Sequence, residues 1–138
     1  MLFPYKDDNP RILVPYVTYC IIGINVLVFL MQLNLGLNDP LAEKSFIYNF
    51  GFIPADFSLI TIFTSMFLHG GLSHIMGNMW FLWVFGDNVE GVLGHVKYAV
   101  FYILCGLAAT ISQLLINPNS TIPMVGASGA IAGVLGMY

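Results

Sequence analysis

The sequence predicts an all-α, polytopic transmembrane helix bundle, and three observations carry that prediction. Only 8% of the 138 residues are charged and 58% are hydrophobic, whereas about a quarter of a soluble domain is charged. Most of the chain therefore has no water-facing surface to supply. Between Arg11 and Asp39, and again between Asp56 and Asp87, no acidic or basic side chain occurs apart from His69 and His74. Each of these runs exceeds the ~20 residues needed to cross a hydrocarbon core. Clusters of proline, glycine and asparagine punctuate the apolar runs and divide residues 1–138 into helices of one domain.

The N-terminal stretch, residues 1–11, holds Lys6, Asp7, Asp8, Arg11 and two prolines. Its acidic residues and the lack of a small-residue cleavage site argue against a secretory signal peptide. The first spanning helix is expected over residues 15–35, with Tyr16 and Tyr19 in the interfacial belt. Residues 36–58 carry Asp39, Pro40, Glu43, Lys44, Pro54 and Asp56 among five aromatics. They read as a long first loop lying in the headgroup region, or as an ordinary interfacial loop. The second span is expected over residues 72–86, entered through Gly70-Gly71 and ended by Asp87-Asn88-Val89-Glu90. The third takes residues 96–116, and Asn117 to Pro123 breaks it, since prolines and turn formers cannot continue a helix. A fourth helix begins near Ser128. From there to Tyr138 is only ~16 Å, about half a bilayer, and no basic anchor follows, so the end reads as a truncation.

The charge balance excludes some partners. A formal net charge of -3 with no basic cluster offers nothing to nucleic acid. Cys20 and Cys105 each lie inside an apolar run and read as packing residues, not a disulfide framework. Lys6, Arg11 and Lys97 fall on one side of the predicted spans and Lys44 on the other. That bias predicts a cytoplasmic N-terminus. Whatever the sign, helices two and four run the same way, so His74, Asn78 and Ser128 are expected at similar depth.

Those three residues are the candidates for chemistry. The terminal stretch from Gly126 to Tyr138 places Ser128 in the first turn of its helix, where unpaired N–H groups and the macrodipole favour negative charge. A plain N-capping serine on a small-residue packing helix accounts for the same residues. Gly129, Gly133 and Gly136 form a stripe that lets a neighbouring helix approach closely. His74 and Asn78 are four residues apart and share one helix face. Buried polar groups in a span either hydrogen-bond across helices or line a functional cavity. A metal site is disfavoured, because His69 and His74 are five apart with no carboxylate on the same turn. Ser128 is also not part of a G-x-S-x-G elbow, since position 130 is alanine.

Taken together, Gly126-Ala-Ser128-Gly129, His74 with Asn78, the lead-in His69-Gly-Gly-Leu-Ser-His74 and the exit Phe-Gly-Asp-Asn-Val-Glu90 resemble the rhomboid family of intramembrane serine proteases. The N-terminal Asp-Asp-Asn-Pro and Val17-Thr-Tyr stretches look like a prokaryotic-type branch, which implies a multi-pass protein of the cell membrane. The resemblance implies a six-helix core, of which four helices are visible, cutting transmembrane protein substrates within the lipid bilayer near its outer face. It implies that Ser128 is the nucleophile, and that His74, Asn78 and the Ser128 N–H form the oxyanion hole. Gly126 and Gly129 would be structural beside the site, His69 would steady the outer loop, and Glu90 would be structural at the opposite face. No cofactor or metal is implied. The first loop lacks the family's Trp-Arg pair, Arg11 being the only arginine in the chain, so that pair's role is not carried over.

The family's general base is a histidine on the sixth helix, and this chain is expected to end in the fourth. A serine without a base is a poor nucleophile, so the chain alone is expected to be inactive. Two other readings stand beside the protease. One is a non-catalytic membrane protein whose polar cavity binds client transmembrane helices. The other is a transporter fragment, which lacks an intramembrane carboxylate and a second inverted half.

Overall fold

A computed structural model describes residues 13–138 of the chain. Lys6 and Arg11, which weighed in the expected orientation, lie outside the described residues, as does the Asp-Asn-Pro stretch. Six α-helices follow one another: α1 (Tyr16–Asn38), α2 (Pro40–Phe50), α3 (Leu59–Thr64), α4 (Leu72–Leu93), α5 (His95–Ile116) and α6 (Ser128–Met137). Short 3-10 turns occupy Pro54–Asp56 and Ser65–Phe67. The β-pairing among the described residues is one isolated bridge, Phe52 with Met124. The fold is the all-α bundle that the composition requires.

α1 buries polar residues and exposes apolar ones, as expected in lipid. Its buried stripe is Thr18, Ile21, Asn25, Phe29 and Gln32, while Ile24, Leu27, Leu30 and Met31 are exposed. The polar members of that stripe recur every seven residues, on the side turned toward the bundle, where each can reach a partner. Thr18 Oγ1 donates to Glu90 at 2.8 Å, Asn25 Nδ2 donates to Ile21 O at 2.8 Å, and Gln32 pairs with the backbone of His69. Glu90 lies near the end of α4 and His69 just before its start. Contacts at both ends thus lay α1 and α4 antiparallel, side by side.

α1 and α5 are each long and apolar enough to cross a membrane unaided. The segment Leu59–Phe67 and α4 make a third crossing only as a pair bent by 85°. The fourth expected span, α6, has 10 residues here, about 15 Å. The predicted end of the second span at Gly86 is corrected: α4 runs through Asp87 and Glu90 to Leu93. Gly86 does not break the helix but opens a notch. A Cβ there would stand 2.9 Å from Thr18 and 3.0 Å from the Tyr98 hydroxyl. Glu90 does not end the helix because its carboxylate finds donors inside the bundle. The chain instead reverses at Gly94, φ +76°, which ends α4 and opens α5.

The first loop is partly helical. Residues 36–58 hold an 11-residue helix, α2. Asp39 caps it, its Oδ1 accepting from Leu41 N at 3.0 Å and Ala42 N at 3.2 Å, with Pro40 at the first helical position. Beyond α2 the loop joins the segment ahead of α6. Phe52 N donates to Met124 O at 3.0 Å, Met124 N to Phe52 O at 2.7 Å, and Ala55 N to Ser120 O at 3.0 Å. These bonds hold the two long connections together on the side of the bundle where α6 begins.

Of the three glycines in the α6 stripe, two are in contact with α5. A Cβ on Gly129 would collide with Ala109 of α5 and one on Gly133 with Cys105. Gly136 meets nothing within 4 Å. The 129–109 and 133–105 pairs run in opposite directions along their helices. α5 and α6 are therefore antiparallel and in close contact over one turn.

Candidate active site

The site is assembled around Gly126, two residues before Ser128. Its φ is +122°, outside the range of ordinary L-residues. A Cβ there would stand 2.8 Å from both Cε1 and Nε2 of His74 and 3.6 Å from Nδ2 of Asn78. The absence of a side chain thus lets the backbone ahead of α6 lie directly on the face of α4 that carries both polar residues. Gly126 N donates to Ser65 O at 2.8 Å, which ties the same backbone to the 3-10 turn before α4. The segment ahead of α6, the turn before α4 and α4 itself thus meet at one residue without a Cβ.

His74 and Asn78 use their shared helix face as the spacing predicts. Asn78 is buried, and its Nδ2 has no hydrogen-bond partner among the described residues. A buried donor without an acceptor costs roughly 1–3 kcal/mol, so this amide is not serving as interhelical glue through its nitrogen. His74 Nδ1 accepts a long bond, 3.4 Å, from Gly70 N. A ring nitrogen that accepts carries no proton, so the neutral imidazole is protonated at Nε2. Nε2 is one of the two ring atoms nearest Gly126. Two donors, His74 Nε2–H and Asn78 Nδ2–H, therefore face the approach to α6.

Ser128 is the first residue of α6, and the N-cap is Ala127, whose side chain makes no capping bond. The reading of Ser128 as an N-capping serine is thereby replaced. The first intrahelical amide is Ile131 N, bonded to Ala127 O at 3.0 Å. The amides of Ser128, Gly129 and Ala130 precede it and point along the helix axis at the positive end of its dipole. Ser128 itself is exposed. Together with Gly126 and Gly129 it lines a cavity of about 100 Å³ closed on its other side by Ser65, Met66 and Ala109.

His69 and Glu90 lie outside this group. His69 is 1% exposed, with its ring edge-on to His74 at 5.2 Å between centroids. Its backbone is held at both polar atoms by Gln32, with Nε2 donating to His69 O and His69 N donating to Oε1, each at 3.0 Å. Glu90 is fully buried at the far end of α4, about 24 Å from His74 along the axis. It accepts from Val17 N at 2.9 Å and Thr18 N at 2.8 Å, and also pairs with His95 Nδ1. The carboxylate supplies α1 with the N-terminal cap that Pro15 cannot. Sequence reasoning missed Gln32 and Thr18; the seven-residue recurrence of polar residues in an uncharged span was the available signal.

A protein-family model described as Rhomboid domain matches residues 56–138, more than half of the chain and all of the site. The chain belongs to the rhomboid family. It is therefore a multi-pass membrane protein built as a rhomboid helical bundle. It is 30% identical over 123 residues to the Bacillus subtilis (strain 168) protein named rhomboid protease GluP, covering 88% of this chain and 24% of that protein. With rhomboid protein 1, mitochondrial, of Saccharomyces cerevisiae it shares 32% over 142 residues, 99% of this chain and 38% of the relative. With the presenilin-associated rhomboid-like protein, mitochondrial, of Bos taurus it shares 30% over 118 residues, 83% and 30%. The chain spans less than half the length of each of these rhomboid relatives. They come from a bacterium and from mitochondria, so membership in the family specifies a membrane and not one compartment.

Proposed function

We propose that this chain carries the nucleophile and the oxyanion-binding half of an intramembrane serine endopeptidase that cleaves transmembrane protein substrates. The observation that supports the reading is the apposition of His74 and Asn78 to Gly126, two residues before Ser128, with the buried Asn78 amide nitrogen left unpartnered among the described residues. In this reading Ser128 Oγ attacks the scissile carbonyl carbon. The carbonyl oxygen takes up negative charge and is received by His74 Nε2–H, Asn78 Nδ2–H and the Ser128 N–H. Collapse of the tetrahedral adduct breaks the C–N bond, the amine leaves with a proton, and water then hydrolyses the acyl-serine ester. Donors fixed in a site of low dielectric act on charge that exists only in the transition state, which is why they accelerate the reaction. By the family's pattern the proton acceptor is a sixth-helix histidine. His95 is paired with Glu90 at the other end of α4 and is not a candidate for that role. Cleavage would occur on the face where α4 and α6 begin, the non-cytoplasmic side of a cell membrane if the N-terminus is cytoplasmic.

The test is cleavage of a model transmembrane substrate by protein that includes the family's sixth-helix histidine. Ser128→Ala is expected to abolish cleavage while substrate still binds. His74→Ala and Asn78→Ala are each expected to lower kcat by about a hundredfold or more, with KM little changed. An active Ser128→Ala variant would overturn the assignment. Binding of client helices without cleavage by the unsubstituted protein would favour a non-catalytic rhomboid instead.

A further inference from the structure

Gln32 is buried to 1% exposure inside an apolar span, and the proposed chemistry makes no direct use of it. Its carboxamide is committed to the backbone of a single residue, donating to His69 O and accepting from His69 N, both at 3.0 Å. The second of these bonds holds the direction of the His69 N–H, and the first holds the direction of its carbonyl. A trans peptide is planar, so His69 C=O and Gly70 N–H share one plane and point oppositely. Holding the carbonyl therefore aims the Gly70 N–H. That N–H donates to His74 Nδ1 at 3.4 Å. Gly70 is exposed and followed by a second glycine, so nothing local restrains this peptide from turning over.

We infer that Gln32 is a positioning residue: its clamp on His69 fixes the 69–70 peptide so that His74 accepts at Nδ1 and presents Nε2–H beside Gly126. The influence crosses from α1 to α4 through one peptide plane. Its catalytic consequence rests on the protease reading; the tautomer it sets does not. Without the clamp, the Gly70 N–H is free to leave Nδ1, and the ring can move its proton there. Nε2 would then be an acceptor facing a developing oxyanion.

The test uses the chain with nitrogen-15 in its histidines, in detergent micelles, with long-range proton–nitrogen correlation reporting the tautomer of His74. The unsubstituted chain is expected to hold His74 as the Nε2–H form. Gln32→Met, close in shape and without polar atoms, is expected to populate the Nδ1–H form substantially. In cleavage assays on protein that includes the family's sixth-helix histidine, the substitution should lower kcat about tenfold, part of the loss for a whole donor, with KM within about twofold. If Gln32→Met does not fold, Gly70→Pro removes the donor while leaving the clamp, and is expected to release the tautomer in the same way. A folded Gln32→Met, or Gly70→Pro in its place, that keeps His74 wholly in the Nε2–H form overturns the inference. So does an unsubstituted chain with His74 in the Nδ1–H form. An active Ser128→Ala variant beside a tautomer shift would instead overturn the protease reading and leave the clamp standing.

Discussion

At the scale of single residues, Asn78 separates the two uses a membrane protein has for a buried amide. Structural glue would have its nitrogen bonded to a neighbouring helix, and here Nδ2 has no partner among the described residues. A donor held unsatisfied costs stability, and replacing it by an apolar group of similar size removes that cost. Asn78→Leu is therefore expected to change stability by no more than about 1 kcal/mol in either direction, measured by reversible denaturation in mixed micelles. The same substitution should lower cleavage by about a hundredfold or more under the proposed function. A loss of more than about 3 kcal/mol would mean that the amide is structural after all. The candidacy of His74 and Asn78 was legible from their spacing in an uncharged run. Which donors stay unpaired was not, because that depends on Gly126, brought against α4 by the fold.

At the scale of elements, α6 is the informative case. Its three glycines look equivalent in the sequence, but only two of them touch α5. Gly133 lies against Cys105, and a side chain there must push two helices apart. Gly133→Leu is expected to destabilise the bundle by about 1–3 kcal/mol. Gly136 faces open space in the described structure, so Gly136→Ala should be neutral or gain up to about 1 kcal/mol in helix propensity. Equal effects of the two substitutions on thermal unfolding in detergent would contradict the α5–α6 register. α2 shows the opposite kind of difference. Its Asp39-Pro40 start is a helix signal, but the surrounding aromatics and prolines drew the segment toward a loop. The helix extends over residues whose apolar content fits several conformations, and packing against α1 accompanies one of them.

At the scale of the whole molecule, the long connections define one end of the bundle. The first loop pairs with the segment before α6 through Phe52 and Met124, and His69, Gln32 and Ser128 gather at the same end. Glu90, His95 and the first turn of α1 gather at the other. Single cysteines placed at Lys44 and Asn119, in a background lacking Cys20 and Cys105, are expected to react with an impermeant thiol reagent from one side of a sealed vesicle. A cysteine at Lys97 should react only from the other. Labelling of the Asn119 and Lys97 positions from the same side would contradict the crossing of α5.

The sequence by itself determined that the chain is a helical membrane protein, where its apolar spans fall, and which three polar residues were candidates for chemistry. These follow from composition and from helical periodicity, both of which are local. The tertiary structure decided which glycines make contact, that Glu90 caps a different helix, and that Gln32 governs a backbone next to His74. Each of these is a meeting of groups twenty or more residues apart. Hydrogen-bond partners and helix approach depend on where whole elements lie, and no window of sequence contains both sides of such a contact.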